Sequence, residues 1–128
     1  MTSLTSCLFC MMPASRIIDR NAVGLVVRDA HPVSPGRTLV IPERHFVSFF
    51  DATETERVGL MSLLSSAKIQ IDAEFAPAGY NVGVNDGSSA GQTIPHLHIH
   101  LIPRFEGDTP DPRGAVRWVL PEKAKYWP

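Results

Sequence analysis

Three of the five histidines stand at alternate positions, His96, His98 and His100. An imidazole titrates near neutrality, so it can serve as nucleophile or general base at pH 7. On an extended chain successive side chains point to opposite faces. These three therefore share one face, Leu97, Ile99 and Leu101 share the other, and neighbouring imidazoles stand roughly 7 Å apart, two strand rises. The apolar face belongs against a core. The histidine face must meet a polar site or solvent, because three imidazoles are unfavourable to bury without partners. Just upstream, residues 86–91 form a loop of small residues. Gly87 and Gly91 let the backbone come close to a ligand and expose N–H groups to an anion. Ser88, Ser89 and Thr93 add hydroxyls, and Asn85 and Gln92 add amides. Alone this is a hydrophilic hairpin loop. Followed by three same-face histidines, it reads as a phosphate cradle beside a nucleophile or base. Cys7-Leu8-Phe9-Cys10 suits half of a tetrahedral metal site, a redox pair, or two small buried side chains. Nothing matches a P-loop, a dinucleotide fingerprint or a serine nucleophile elbow.

The elements that must position these groups are legible as patterns. Residues 23–29 are apolar and β-branched, a strand. A turn with two prolines and a glycine follows at 31–36, and His31 within it reads as a surface residue. Residues 37–41 form a second strand closed by Pro42, giving an antiparallel pair. Thr53 and Glu56 form a capping box. Val58, Met61, Leu64, Ala67, Ile71 and Phe75 then recur at helical spacing, with Arg57, Ser65, Lys68 and Asp72 elsewhere. Pro77 and Gly79 end the helix. Residues 80–85 alternate with period two, and residues 95–102 alternate again up to Pro103. The expected order is β-β-α-β-β, an α+β antiparallel meander with one main helix on a face. The expected organisation is one domain over residues 1–105 and an extension over 106–128. That extension, rich in proline and carrying Trp118 and Trp127, should pack on the domain or on a partner subunit.

Length and composition bound the function. The 128 residues make one domain, with a core large enough to need no disulfides. Charge is 12 basic against 13 acidic residues, a net of −1, which disfavours a nucleic-acid coat or an electrostatic membrane binder. No apolar run approaches the ~20 residues of a membrane span. Residues 1–7 show no basic segment followed by a long apolar stretch, so the expected compartment is the cytoplasm.

Taken together, these residues resemble the histidine triad (HIT) family. His96-Leu97-His98-Ile99-His100-Leu101-Ile102 fits its motif, in which histidines alternate with apolar residues. The likeness extends through residues 85–93, residues 39–45 and the Cys7–Cys10 pair, over roughly the first four-fifths of the chain. Residues 111–118 look like a bacterial-type extension. The resemblance implies a nucleotidyl hydrolase or transferase acting at the α-phosphorus of nucleoside phosphoanhydrides or phosphoramidates. His98 would be the nucleophile, forming a covalent nucleotidyl-histidine that water resolves to a nucleoside monophosphate. An N–P bond is labile, so one difficult hydrolysis becomes two easier steps. His100, Gln92, Asn85 and Thr93 would hold phosphate oxygens, His96 would complete the triad, Asp29 would take the ribose hydroxyls, and Leu8 and Phe9 would wall the base. The partners implied are a nucleotide or dinucleotide substrate and a second copy in a homodimer, with no organic cofactor, membrane or nucleic acid. Some branches bind structural zinc through positions filled here by Cys7, Cys10, His45 and His96. The alternative is that His96 only orients His98 while the cysteines pack as small hydrophobes.

Two departures stand out. Many members carry histidine where this chain has Arg37. An arginine there either favours a more anionic polyphosphate substrate or turns outward. Thr93 replaces the commoner serine and keeps the hydroxyl. The rival reading is a zinc-stabilised nucleotide-binding module in which turnover is incidental, and an intact His98 favours the enzyme.

Overall fold

Valine, leucine and isoleucine dominate two inner strands of the sheet, β2 (Gly24–Arg28) and β3 (Thr38–Pro42). Both are almost wholly buried, because the sheet is covered on two sides. The computed structural model describes residues 6–30 and 34–128; His31 lies outside them. A preceding strand, β1 (Ile17–Arg20), pairs antiparallel with β2. It was not expected from the sequence. Its four residues alternate half-buried and exposed, too short a run to stand out as a period.

The chain then enters helix α1 (Glu54–Phe75). The capping box forms as expected. Thr53 Oγ1 accepts from the Glu56 N–H at 3.1 Å, and Glu56 accepts from the Thr53 N–H at 2.9 Å. The helix ends at Ala76, the one non-glycine residue with positive φ (49°) among the described residues, and Pro77 follows. Its core face differs from the expected one. Leu60, Leu63, Ala67 and Ile71 are buried, with Glu56 at the start, whereas Val58 and Met61 are exposed. The helix thus carries two apolar stripes, and the sequence pattern merged them. Each fully buried leucine or isoleucine contributes about 1.5–3 kcal/mol, so the Leu60–Ile71 stripe holds the helix to the sheet.

Strands β4 (Gly79–Gly83) and β5 (Ile99–Arg104) complete a five-stranded antiparallel sheet in the order β1-β2-β3-β5-β4. The strand after the helix therefore takes the outer edge, and the last strand slots between it and β3. The helix face of the sheet presents Val26, Val40, Ile99 and Leu101. The opposite face carries Leu25, Val27, Leu39 and Ile41, against which Cys7 and Phe9 pack. That second face holds the site. The fold is α+β, as expected. No helix among the described residues is long and apolar enough to cross a membrane.

Beyond β5 the chain forms a short 3-10 segment, Ala115–Val119, and a one-turn helix α2, Pro121–Ala124. These pack on each other. Arg117 donates to the Ala124 and Lys123 carbonyls at 2.8 and 2.7 Å. The Arg113 guanidinium lies 4.3 Å from the Trp127 ring centroid. Val116, Val119 and Leu120 remain exposed.

Candidate active site and metal centre

The triad segment straddles a strand boundary. His100 lies in the ladder, opposite Leu39 on β3 and Gly83 on β4. His96 and His98 precede it. The expected strand from residue 95 is thus corrected to one that begins at Ile99. Pro42 supplies the reason, since it ends β3 and has no N–H to continue the ladder. Residues 96–98 still run alongside the chain, with the Leu97 N–H donating to the Phe46 carbonyl at 2.7 Å. The imidazoles also sit closer than two ideal strand rises, the His98 and His100 ring centroids being 4.9 Å apart.

His98 is buried, in edge contact with Phe9 on one side and His100 on the other, both at 4.9 Å between ring centroids. Its Nδ1 lies 2.9 Å from the carbonyl oxygen of His96. A carbonyl can only accept, so Nδ1 carries a proton, and in the neutral ring Nε2 is then the nitrogen with the lone pair. His100 has the opposite arrangement. Its Nδ1 lies 3.3 Å from Arg37 Nη2, and its Nε2 is buried without a protein partner. Burial pushes the His100 pKa down to about 4, with the neighbouring His98 and Arg37 adding to the shift. It is neutral at pH 7.

Two cavities flank this pair. One of about 400 Å³ lies over β2 and β3, lined by Leu8, Phe9, Asp29, Leu39 and Ile94 among others. It brings together the expected base wall and the expected ribose acid. Leu8 is exposed and Phe9 buried. The other, of about 350 Å³, lies over β5 and β4 and is lined by Arg37, Asn81, Asn85, His100 and Arg104, with Val116 and Val119 from the C-terminal segment. Asn85 therefore joins His100 as expected. Thr93 is exposed at the loop end. Gln92 lies inside the loop: its Oε1 accepts from the Gly87 N–H at 2.9 Å, and its Nε2 donates to the Val47 and Ile94 carbonyls at 3.1 and 3.2 Å. It braces the cradle, whose bends rest on positive φ at Gly87 (95°) and Gly91 (90°). Sequence reasoning missed Leu39 and Ile94 as cavity walls, and Asn81 and Arg104. Leu39, Asn81 and Arg104 follow from strand parity once the register is fixed, whereas Ile94 lies in the loop before β5.

Cys7, Cys10, His45 and His96 converge, each offering one donor atom, all within 4.8 Å of one another. His96 Nε2 donates to the Pro42 carbonyl at 2.8 Å, which leaves its Nδ1 as a lone pair. That Nδ1 faces Cys7 and Cys10 Sγ at 3.5 Å each and His45 Nδ1 at 3.1 Å. A tetrahedron with Zn–S and Zn–N bonds of ordinary length separates its donors by roughly 3.3–3.8 Å, so this donor set fits zinc. Without a cation, burial and the adjacent Cys7 push the Cys10 thiol up to about 11. A bound metal reverses that preference by holding the thiolate.

The match to known proteins follows the same residues. Residues 12–107 match the family model of the HIT domain, and the chain belongs to the histidine triad family. It is 34% identical over 94 residues to a bis(5′-nucleosyl)-tetraphosphatase of Schizosaccharomyces pombe, covering 73% of this chain and 52% of that one. It is 36% identical over 93 residues to an AP-4-A phosphorylase of Mycobacterium tuberculosis, covering 72% and 48%. The chain thus spans about half the length of each of these two enzymes. A zinc-bound histidine triad family protein of Mycobacterium smegmatis superposes with a TM-score of 0.70 at 31% identity, over 91% of this chain and 92% of that one.

Proposed function

We propose that this protein is a nucleotidyl hydrolase that cleaves nucleoside phosphoanhydrides or phosphoramidates at the α-phosphorus through a covalent intermediate on His98 Nε2. The observation that carries the reading is the protonation pattern of the pair. His98 Nδ1–H is fixed on the His96 carbonyl, which leaves an unprotonated Nε2 beside His100, whose own Nε2–H has no partner. One nitrogen attacks while the other donates to a phosphate oxygen. In the first step the His98 Nε2–P bond forms and the bond from phosphorus to the leaving atom breaks, the leaving group keeping the electron pair. In the second, water displaces the imidazole and releases the nucleoside monophosphate.

Asp29 takes the ribose hydroxyls, Leu8 and Phe9 wall the base, and Asn85, Thr93 and the loop held by Gln92 surround the phosphate. The identities of the two enzymes named above support nucleotide anhydride substrates. They differ in the acceptor: phosphate in place of water would yield a nucleoside diphosphate. Cys7, Cys10, His45 and His96 would hold a zinc ion in a purely structural role, and no step runs through it. The working unit is a cytoplasmic homodimer with no nucleic-acid partner. The C-terminal extension 106–128 closes over the domain or its partner.

The test mixes pure protein with diadenosine tetraphosphate, with and without inorganic phosphate, and identifies products together with the quenched protein's mass. AMP release and a nucleotidyl adduct lost in His98→Ala support the reading. ADP formed only with phosphate makes the protein a phosphorylase. Tight nucleotide binding without turnover returns it to the binding-module reading.

A further inference from the structure

Arg37 faces inward. Its side chain and that of Asp29 are each only 18% exposed, with Arg37 Nε 3.3 Å from Asp29 Oδ2. On its other side Nη2 reaches His100 Nδ1 at 3.3 Å. A guanidinium has donors only and does not lose its proton at working pH. The contact therefore forces His100 Nδ1 to accept and fixes its proton on Nε2, the buried nitrogen without a protein partner. Arg37 thus stands where the Asp29 cavity ends and the Asn85 cavity begins. The lining of the Asn85 cavity includes two arginines, Arg37 and Arg104, and no carboxylate.

We propose that Arg37 is a specificity-determining residue that sets this site for nucleotides whose leaving group is an oligophosphate rather than an amine. The proposal rests on the reading of His98 as nucleophile, with the base and ribose on the Asp29 side. The leaving group then departs into the Asn85 cavity. When a P–O bond breaks, the electron pair stays on the leaving phosphate oxygen. A fixed cation stabilises that charge with no proton transfer. When a P–N bond breaks, the leaving nitrogen must gain a proton. A guanidinium cannot supply one, and it opposes the positive charge that builds on the nitrogen as it is protonated. A histidine at this position would titrate and would not carry a fixed charge.

The experiment measures kcat/KM for diadenosine tetraphosphate and for adenosine 5′-phosphoramidate in wild type, Arg37→Gln, Arg37→His and Arg37→Lys. The ratio of the first to the second should fall about tenfold or more in the Gln and His variants, the order of one charge-assisted hydrogen bond. It should recover part of the way in Lys, which restores charge without the planar fork. An unchanged ratio in both Gln and His overturns the proposal while leaving the function standing. A wild-type protein that turns over neither substrate overturns the functional reading itself, and this proposal with it. A measurement that needs no variant is inhibition of phosphoramidate turnover by inorganic tripolyphosphate. Inhibition that weakens with added salt supports a cationic leaving-group cavity, and none at millimolar concentration overturns it.

Discussion

The carbonyl oxygen of His96 holds Nδ1 of His98 at 2.9 Å, so the residue whose ring faces the two cysteines also sets the protonation pattern of its neighbour. Replacing His98 by Ala removes the nitrogen proposed to attack phosphorus and little else of the core. Turnover of diadenosine tetraphosphate should drop by about three orders of magnitude or more, at least ~4 kcal/mol of barrier. The thermal midpoint should move by only a few degrees. A variant within about tenfold of wild type sinks the nucleophile assignment.

As-purified protein should carry about one zinc per chain, as a single Cys2His2 set requires. Cys7→Ser should lower metal content and thermal stability more than it lowers the single-turnover rate of whatever fraction stays folded. Elemental analysis of protein never exposed to a chelator or a histidine-tag column checks this. A zinc-free result would return the cysteines to plain packing residues.

Glu56 offers a pH signature. Arg44 grips its carboxylate through Nε at 3.0 Å and Nη2 at 2.7 Å, and this pairing brings the Glu56 pKa down to about 2. The folded value lies below the unfolded one. The stabilisation is therefore complete above about pH 4.5 and is lost as pH falls through about 2. The Arg44 side chain is 52% exposed, and solvent screening holds the pair to about 1 kcal/mol. In urea unfolding, Glu56→Gln should be less stable at pH 7 by about that amount, with the gap closing toward pH 2. A constant gap across that range contradicts the assignment.

Phe50, Val58, Met61 and Val82 are exposed, and Phe50, Met61 and Val82 line one apolar cavity beside edge strand β4. Such an edge and patch suit a two-fold contact between copies. Sedimentation velocity at micromolar concentration should show a dimer, and Met61→Glu should shift it toward monomer. A wild-type monomer refutes the pairing.

What was legible in the sequence divides along physical lines. The capping box, β2, β3 and the alternation at residues 96–102 are local signals, and each appears in the structure near its expected place. The two stripes of α1 were not separable. Val58 and Met61 share the helical period of Ala67 and Ile71, and only the docked sheet decides which side is inside. β1 is short and mostly polar, so its pairing with β2 is a tertiary choice. The interruption before Ile99 came from Pro42, more than 50 residues earlier in the chain. Cys7, Leu8, Phe9 and Asp29 line one cavity, Asn85 and His100 the other, and His98 lies between Phe9 and His100, yet the roles of Arg37 and Gln92 depend on direction. Sequence left open whether Arg37 turned outward, and the Asp29 contact settles that it turns inward.

The cysteine–histidine cluster also bears on the order of folding. Cys7 and Cys10 lie far in sequence from the histidines they meet: their contacts with His96 close loops of 89 and 86 residues, and that of Cys10 with His45 one of 35. Contacts this distant in sequence form late, because loop closure must precede any gain from them. The wall carrying Phe9 therefore waits on the segment that leads into β5. Until then the folding chain has two separate thiols and an unfinished cavity wall, so both are completed in one step, when β5 takes its place between β3 and β4.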